Sequence, residues 1–173
     1  YLSNNLLIKV FSFLFLLISF IKTTEATEES VWKKSSSKTY TDVNKEDIWH
    51  LWEDVNNWPQ WNKGIDSSQI EGPFIVGNFF KLTPKGGKEV KIVLTEIEEG
   101  SKFTDCTTFS DPDAEMYDTH VMEETSEGLR LTNTLVVTGP GQSVWIERVA
   151  QHLADNALDK MDALVQLARE RNK

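Results

Sequence analysis

His120 is the side chain in this sequence best suited to move a proton, because imidazole is the group whose ordinary pKa lies nearest neutrality. Asp118 stands two residues before it, and residues two apart in an extended strand project from the same face, near enough for a carboxylate to hold one ring tautomer. Met116 and Met122 share that parity and mark the face as inward, which sends Tyr117 and Thr119 to the other side. In the following strand-like run Leu131, Asn133, Leu135 and Val137 share a face, and Asn133 is its polar exception. Together Asp118, His120 and Asn133 could polarise a carbonyl or pass a proton. The plainer reading makes His120 a hydrogen-bonded pocket residue, since no partner motif accompanies it.

Other chemistries find little support. The chain contains no nucleophile elbow, phosphate loop or dinucleotide fingerprint. His50, His120 and His152 fall on three separate elements without metal spacing, so no metal site is assigned. Asp111-Pro112-Asp113-Ala114-Glu115 echoes a calcium loop but lacks its glycine and distal glutamate, and reads as an acidic hairpin turn. Cys106 is the only cysteine, which excludes an intramolecular disulfide, and it has no cationic neighbour in sequence to activate it. A packed thiol is the simpler assignment.

The elements that must position these residues follow from periodicity and turn chemistry. Val31 to Tyr40 alternates weakly as a first strand. Asn44 caps a helix over Lys45 to Val55, with Ile48, Leu51, Trp52 and Val55 on one stripe, and a short second helix covers Trp58 to Trp61 around Pro59. Strands are then expected at Gly64 to Glu71, Gly77 to Thr83, Glu89 to Glu98, Lys102 to Phe109, Glu115 to Glu124 and Leu129 to Thr138. Each gap is short and carries Gly, Pro or Asp, so sequential strands are antiparallel. After Gly139-Pro140-Gly141 one long helix runs to about Arg171, striped by Ile146, Val149, Leu153, Ala157, Met161, Leu164 and Ala168. A helix of about 30 residues spans roughly 45 Å, so a single sheet must curl around it.

This order, with Trp58-Pro59-Gln60-Trp61, the Gly128-Leu129-Arg130-Leu131-Thr132 run and Gly139-Pro140 ahead of the last helix, resembles the START-like superfamily of polyketide cyclases, dehydrases and lipid-transport proteins. The resemblance implies an α+β helix-grip fold: a seven-stranded curved antiparallel sheet around a long C-terminal helix, two short helices after the first strand, and a cavity between sheet and helix. It also implies a hydrophobic small molecule, of lipid, polyketide or isoprenoid class, as ligand. No cofactor is called for. Candidate lining residues are Trp58, Trp61, Met116, His120, Met122, Leu131, Asn133, Leu135, Ala150, Ala154, Ala157 and Met161. The two tryptophans serve equally as a staple holding the short helices to the sheet. Three classes stay open: a binding protein, a cyclase or dehydrase using His120 and Asp118, and an interaction domain of co-chaperone type.

The N-terminus reads as a secretory signal over residues 1–26, with an apolar run from Val10 to Ile21 and small-residue exit at Thr24 and Ala26; an uncleaved anchor is the alternative. Residues 27–173 then form the exported ligand-binding domain. Removing the signal takes away two lysines and Glu25, leaving 16 basic and 26 acidic side chains. So acidic a chain is a poor partner for nucleic acid, and the apolar run is short for a stable membrane span. Oligomeric state has no signature in the sequence.

Overall fold

Antiparallel hairpins join six strands in succession, and the first strand closes the far side of the last. The computed structural model describes residues 31–171, so the expected signal at 1–26 lies outside the described residues. The strands are β1 (Trp32–Tyr40), β2 (Ile65–Ile70), β3 (Phe79–Pro84), β4 (Val90–Glu98), β5 (Lys102–Phe109), β6 (Ala114–Thr125) and β7 (Gly128–Thr138). They form one seven-stranded sheet in the order β1-β7-β6-β5-β4-β3-β2. β1 is an edge strand, and Lys33, Lys34 and Lys38 discourage further strands from pairing with it.

Between β1 and β2 lie α1 (Lys45–Glu53) and a 3-10 turn (Val55–Gln60). Asn44 caps α1, its side chain accepting from Asp47 N at 3.0 Å, and Ile48, Trp49, Leu51 and Trp52 are the buried face. Ser68 Oγ donates to Val55 O at 2.6 Å and ties the turn to β2. In β4 the pairing slips between Leu94 and Glu96, a bulge that moves the inward face from Ile92 and Leu94 to Ile97. Gly128 starts β7 at φ 134°, where an added Cβ would lie 2.3 Å from Tyr40 O; only glycine admits the close approach of β1.

The C-terminal segment departs from the single uninterrupted helix expected from its periodicity. It consists of α2 (Gln142–Trp145), a π-helical turn (Ile146–Ala150), α3 (Gln151–Asp155) and α4 (Ala157–Arg171). The irregularity falls at Asn156, whose backbone leaves the helical range at φ −99° and ψ 6°, while His152 O accepts both its N–H at 3.2 Å and its side-chain Nδ2 at 2.8 Å. Periodicity cannot register such a break, because no Gly or Pro marks it. The stripe is also unevenly covered: Ala157, Met161, Leu164 and Ala168 are buried, while Ile146, Val149 and Leu153 are half-buried.

The interior contains two apolar clusters. The larger joins α1, the 3-10 turn, β1, β3 to β7 and α4, and includes Trp52, Trp58, Phe80, Phe103, Met122, Leu131, Met161 and Leu164. The smaller, at the other end of the sheet, comprises Ala114, Met116, Leu135, Val137 and Ala150, with Trp145 and Leu153 packed on it. Trp145 Nε1 donates to Pro112 O at 2.7 Å and its ring stacks on Phe109 at 4.1 Å, which anchors the start of the C-terminal segment to the β5–β6 hairpin.

Candidate functional site

A belt of polar side chains crosses the concave face between the two apolar clusters. On β5, Asp105 follows Phe103 of the larger cluster; on β6, Asp118 and His120 stand between Met116 and Met122; on β7, Asn133 stands between Leu131 and Leu135. Strand register makes the belt continuous. Asp105 lies opposite Asp118, Phe103 opposite His120, and His120 opposite Asn133. On the helix side, the residues of the smaller cluster end at Ala154 and those of the larger begin at Met161, so the break at Asn156 and the buried Ala157 fall between them.

Within the belt, Asn133 Nδ2 donates to Asp118 Oδ1. His120 Nε2 lies 3.3 Å from the same oxygen, and Asn133 Nδ2 lies 3.4 Å from His120 Nδ1. In these contacts the ring Nε2–H can donate to the carboxylate, and the amide reaches both Asp118 and the other ring nitrogen. The ring is further held by Phe103, stacked at 4.4 Å with an interplanar angle of 14°, and by Trp52 at 5.8 Å. The side chains of Asp118 and His120 retain 17% and 22% exposure, so solvent reaches this part of the belt.

The two carboxyls are pushed in opposite directions. Burial, with the neighbouring charge of Asp118, drives Asp105 well above the usual carboxylate range, and the Lys160 ammonium offsets only part of this. Asp118 is also penalised by burial, but His120, Lys160 and the Asn133 amide outweigh that penalty and hold it below the usual range. One carboxyl that keeps its proton beside one that does not is an arrangement able to donate and accept a proton side by side. Sequence reading passed over Asp105 as part of the strand around Cys106. Its parity with Phe103 was the available signal, but the facing of that strand becomes certain only once β5 is paired with β6.

The remaining candidates fall into place around the belt. Trp58 and Trp61 are buried, and Trp58 Nε1 donates to Trp52 O at 2.9 Å while its ring meets Phe80 at 5.0 Å, the geometry of a staple. Met122, Leu131 and Met161 belong to the larger cluster; Met116, Leu135 and Ala150 belong to the smaller, with half-buried Ala154 against it. Two clefts lie away from the belt. One of about 530 Å³ at the β1 edge is lined by Lys38, Tyr40, Asp162 and Arg169, where Lys38 Nζ and Tyr40 Oη both donate to Asp162 Oδ1 at 2.7 Å. The other, about 490 Å³ along β4 and β5, is lined by Val90, Val93, Cys106 and Phe109. Burial and the charge of Glu115 push the Cys106 thiol up, away from nucleophilic character. Among the described residues no group of three or more His, Cys, Asp or Glu is placed to hold a metal ion, and no helix is long and apolar enough to cross a membrane.

Comparison with known proteins places this architecture. No curated protein matches the chain. Protein MLL2253 from Mesorhizobium loti shares the fold with a TM-score of 0.65 at 14% identity, over 82% of this chain and 99% of that one. Norcoclaurine synthase from Thalictrum, solved as a point mutant with a transition state analogue, aligns with a TM-score of 0.61 at 17% identity, over 83% of this chain and 99% of that one. The di-domain ARO/CYC StfQ of the steffimycin biosynthetic pathway aligns at 0.62 with 16% identity, over 82% of this chain and 52% of that one. Residues 33–166 match the family described as polyketide cyclase / dehydrase and lipid transport. A sheet curled on a C-terminal helix is common to all of these, and the family match spans most of the described residues: the chain belongs to the polyketide cyclase/dehydrase and lipid-transport family, within the START-like superfamily.

Proposed function

We propose that this protein binds an apolar small molecule, of lipid, polyketide or isoprenoid class, between the sheet and the C-terminal segment, with Asp118, Asn133 and His120 meeting its polar end. The observation that carries this reading is the belt itself: hydrogen-bonded polar groups, still reached by solvent, that interrupt an otherwise apolar interior. Apolar walls on both sides would hold the body of the ligand, and the methionines among them are adaptable. Native mass spectrometry of protein purified from its own source should show an adduct of a few hundred daltons that is lost on denaturation. Protein free of any adduct, together with no binding of apolar probes, would remove the reading.

Acid/base catalysis is the second reading, favoured by the convergence of His120 and Asp118 and by fold relatives such as norcoclaurine synthase. His120→Phe separates the two. For a binding protein this variant keeps ligand affinity within a few-fold, because a phenyl ring can continue the stack on Phe103. For an enzyme, turnover falls by roughly a hundredfold or more with affinity kept.

Export is part of the proposal. N-terminal sequencing of the mature protein should find a start near Thr27, in a compartment outside the cytoplasm, because the apolar run has the length of a signal. A cytoplasmic protein that retains residues 6–21 would overturn it.

A further inference from the structure

Asp105 is 6% exposed, and its carboxyl makes no side-chain hydrogen bond or ion pair among the described residues. Among the described residues the fully enclosed polar side-chain atoms without a partner are Trp61 Nε1 and Gln142 Oε1, so the Asp105 carboxyl keeps a little surface that an incoming partner can reach. Its surroundings indicate the kind of partner. Phe103, two residues earlier, belongs to the aromatic cluster, and Met116 and Leu135 of the smaller cluster flank the belt on the other side. Across the strands Asp105 faces Asp118, whose oxygen is already engaged by Asn133 and His120.

Two carboxyls set opposite one another on neighbouring strands disfavour each other's ionisation. Asp118 has the donors that support a negative charge; Asp105 has none, so the proton resides on Asp105. Its own hydroxyl is then a donor that no side chain among the described residues engages. A cationic ligand suits this place poorly, because it would need Asp105 ionised and would meet the Lys160 ammonium, which acts on both carboxyls.

We propose that Asp105 joins Asp118, Asn133 and His120 in recognising the polar end of the ligand, donating a hydrogen bond to an acceptor oxygen, such as a ketone or ester carbonyl, on a ring-bearing apolar molecule. This rests on the binding reading above and adds to it a residue and a ligand chemistry. The same hydrogen bond would be available to a ligand that is only held and to one that is transformed.

The test uses 6-propionyl-2-(dimethylamino)naphthalene, a neutral naphthyl ketone whose emission moves to longer wavelength when its carbonyl accepts a hydrogen bond. The wild-type chain should bind it with hydrogen-bonded emission. Asp105→Asn retains an N–H donor and should bind within about threefold, with the same emission. Asp105→Val, an apolar residue of near-equal size suited to a strand, should bind about tenfold more weakly and emit at shorter wavelength. Asp105→Ala replaces it if the valine variant lacks a cooperative melt. Equal binding and unchanged emission in the apolar variant would overturn the role of Asp105 and leave the binding reading standing. Loss of binding in Asp105→Asn as severe as in the apolar variant would also overturn it, in favour of an ionised carboxylate. Failure of the wild-type chain to bind the ketone would overturn the role of Asp105, and the binding reading would fall with it only if the native protein also carried no adduct.

Discussion

Leu164→Asp should leave the protein without a cooperative thermal transition near physiological temperature, whereas Leu153→Asp should lower the midpoint yet still fold. Both leucines belong to the same apolar stripe of the C-terminal segment, and from periodicity alone they are equivalent. Leu164 is 2% exposed in the larger cluster, packed among residues of α1 and the sheet. Leu153 is half-buried against the smaller cluster, on the short helix before the break at Asn156. Replacing a fully buried leucine forfeits about 2–5 kcal/mol of packing and adds the cost of a carboxyl with no partner, which together approach the whole stability of a typical domain, about 5–15 kcal/mol. At position 153 the carboxylate can turn toward water, so about 1–3 kcal/mol is the expected loss. Thermal melts followed by circular dichroism check the pair. Equal destabilisation would show that the C-terminal segment packs as one uninterrupted helix.

Asp105→Asn should raise the melting temperature at neutral pH, and the gain should grow with pH. The sign follows from proton binding. Burial and Asp118 lift Asp105 in the folded state, while in the unfolded chain it titrates near the ordinary aspartate value of about 3.9. Between those two values the folded protein holds a proton that the unfolded chain has released, so stability falls as pH rises across the window. Below about pH 3.9 both states are protonated and the penalty vanishes. Asp118 acts in the opposite sense. Its carboxyl is held below the usual range, so its contribution is present above the unfolded value and is lost as pH falls through the folded one. His120 and Lys160 are the other titratable groups that act on this pair.

The difference in melting temperature between Asp105→Asn and wild type should therefore be small near pH 3.5 and widen toward neutrality, while the titrations shared by both proteins cancel. Removal of an unpaired buried polar group is commonly worth about 1–3 kcal/mol, and each kcal/mol moves the midpoint by roughly 2–4 °C in a domain of this size. A constant offset across pH would show that Asp105 does not change protonation on unfolding.

Much of the architecture was legible before any coordinates, because it depends on local physics. Alternation of apolar residues, Gly and Asp in the gaps, and the Asn44 cap identify strands, hairpins and α1 from residues within a few positions of one another. The inward face of β6 was legible as well, since Met116 and Met122 bracket Asp118 and His120 with the same parity. What local pattern cannot carry is pairing between strands. The bulge at Thr95 reverses the face of β4 part-way along, and Asp105 acquires its meaning only opposite Asp118, a partner on the neighbouring strand. The irregularity at Asn156 is of the same kind: its side chain shares the His152 carbonyl with its own N–H while its backbone leaves the helical range, and no period records that. Sequence by itself determined the order of elements, the fold class and the identity of His120, Asp118 and Asn133 as the polar exceptions on apolar faces. Only the tertiary structure decided that these three touch one another, that a second carboxyl lies buried beside them without a partner, and that they form a belt between two apolar clusters; contacts across strands are set by register, which depends on the whole sheet at once.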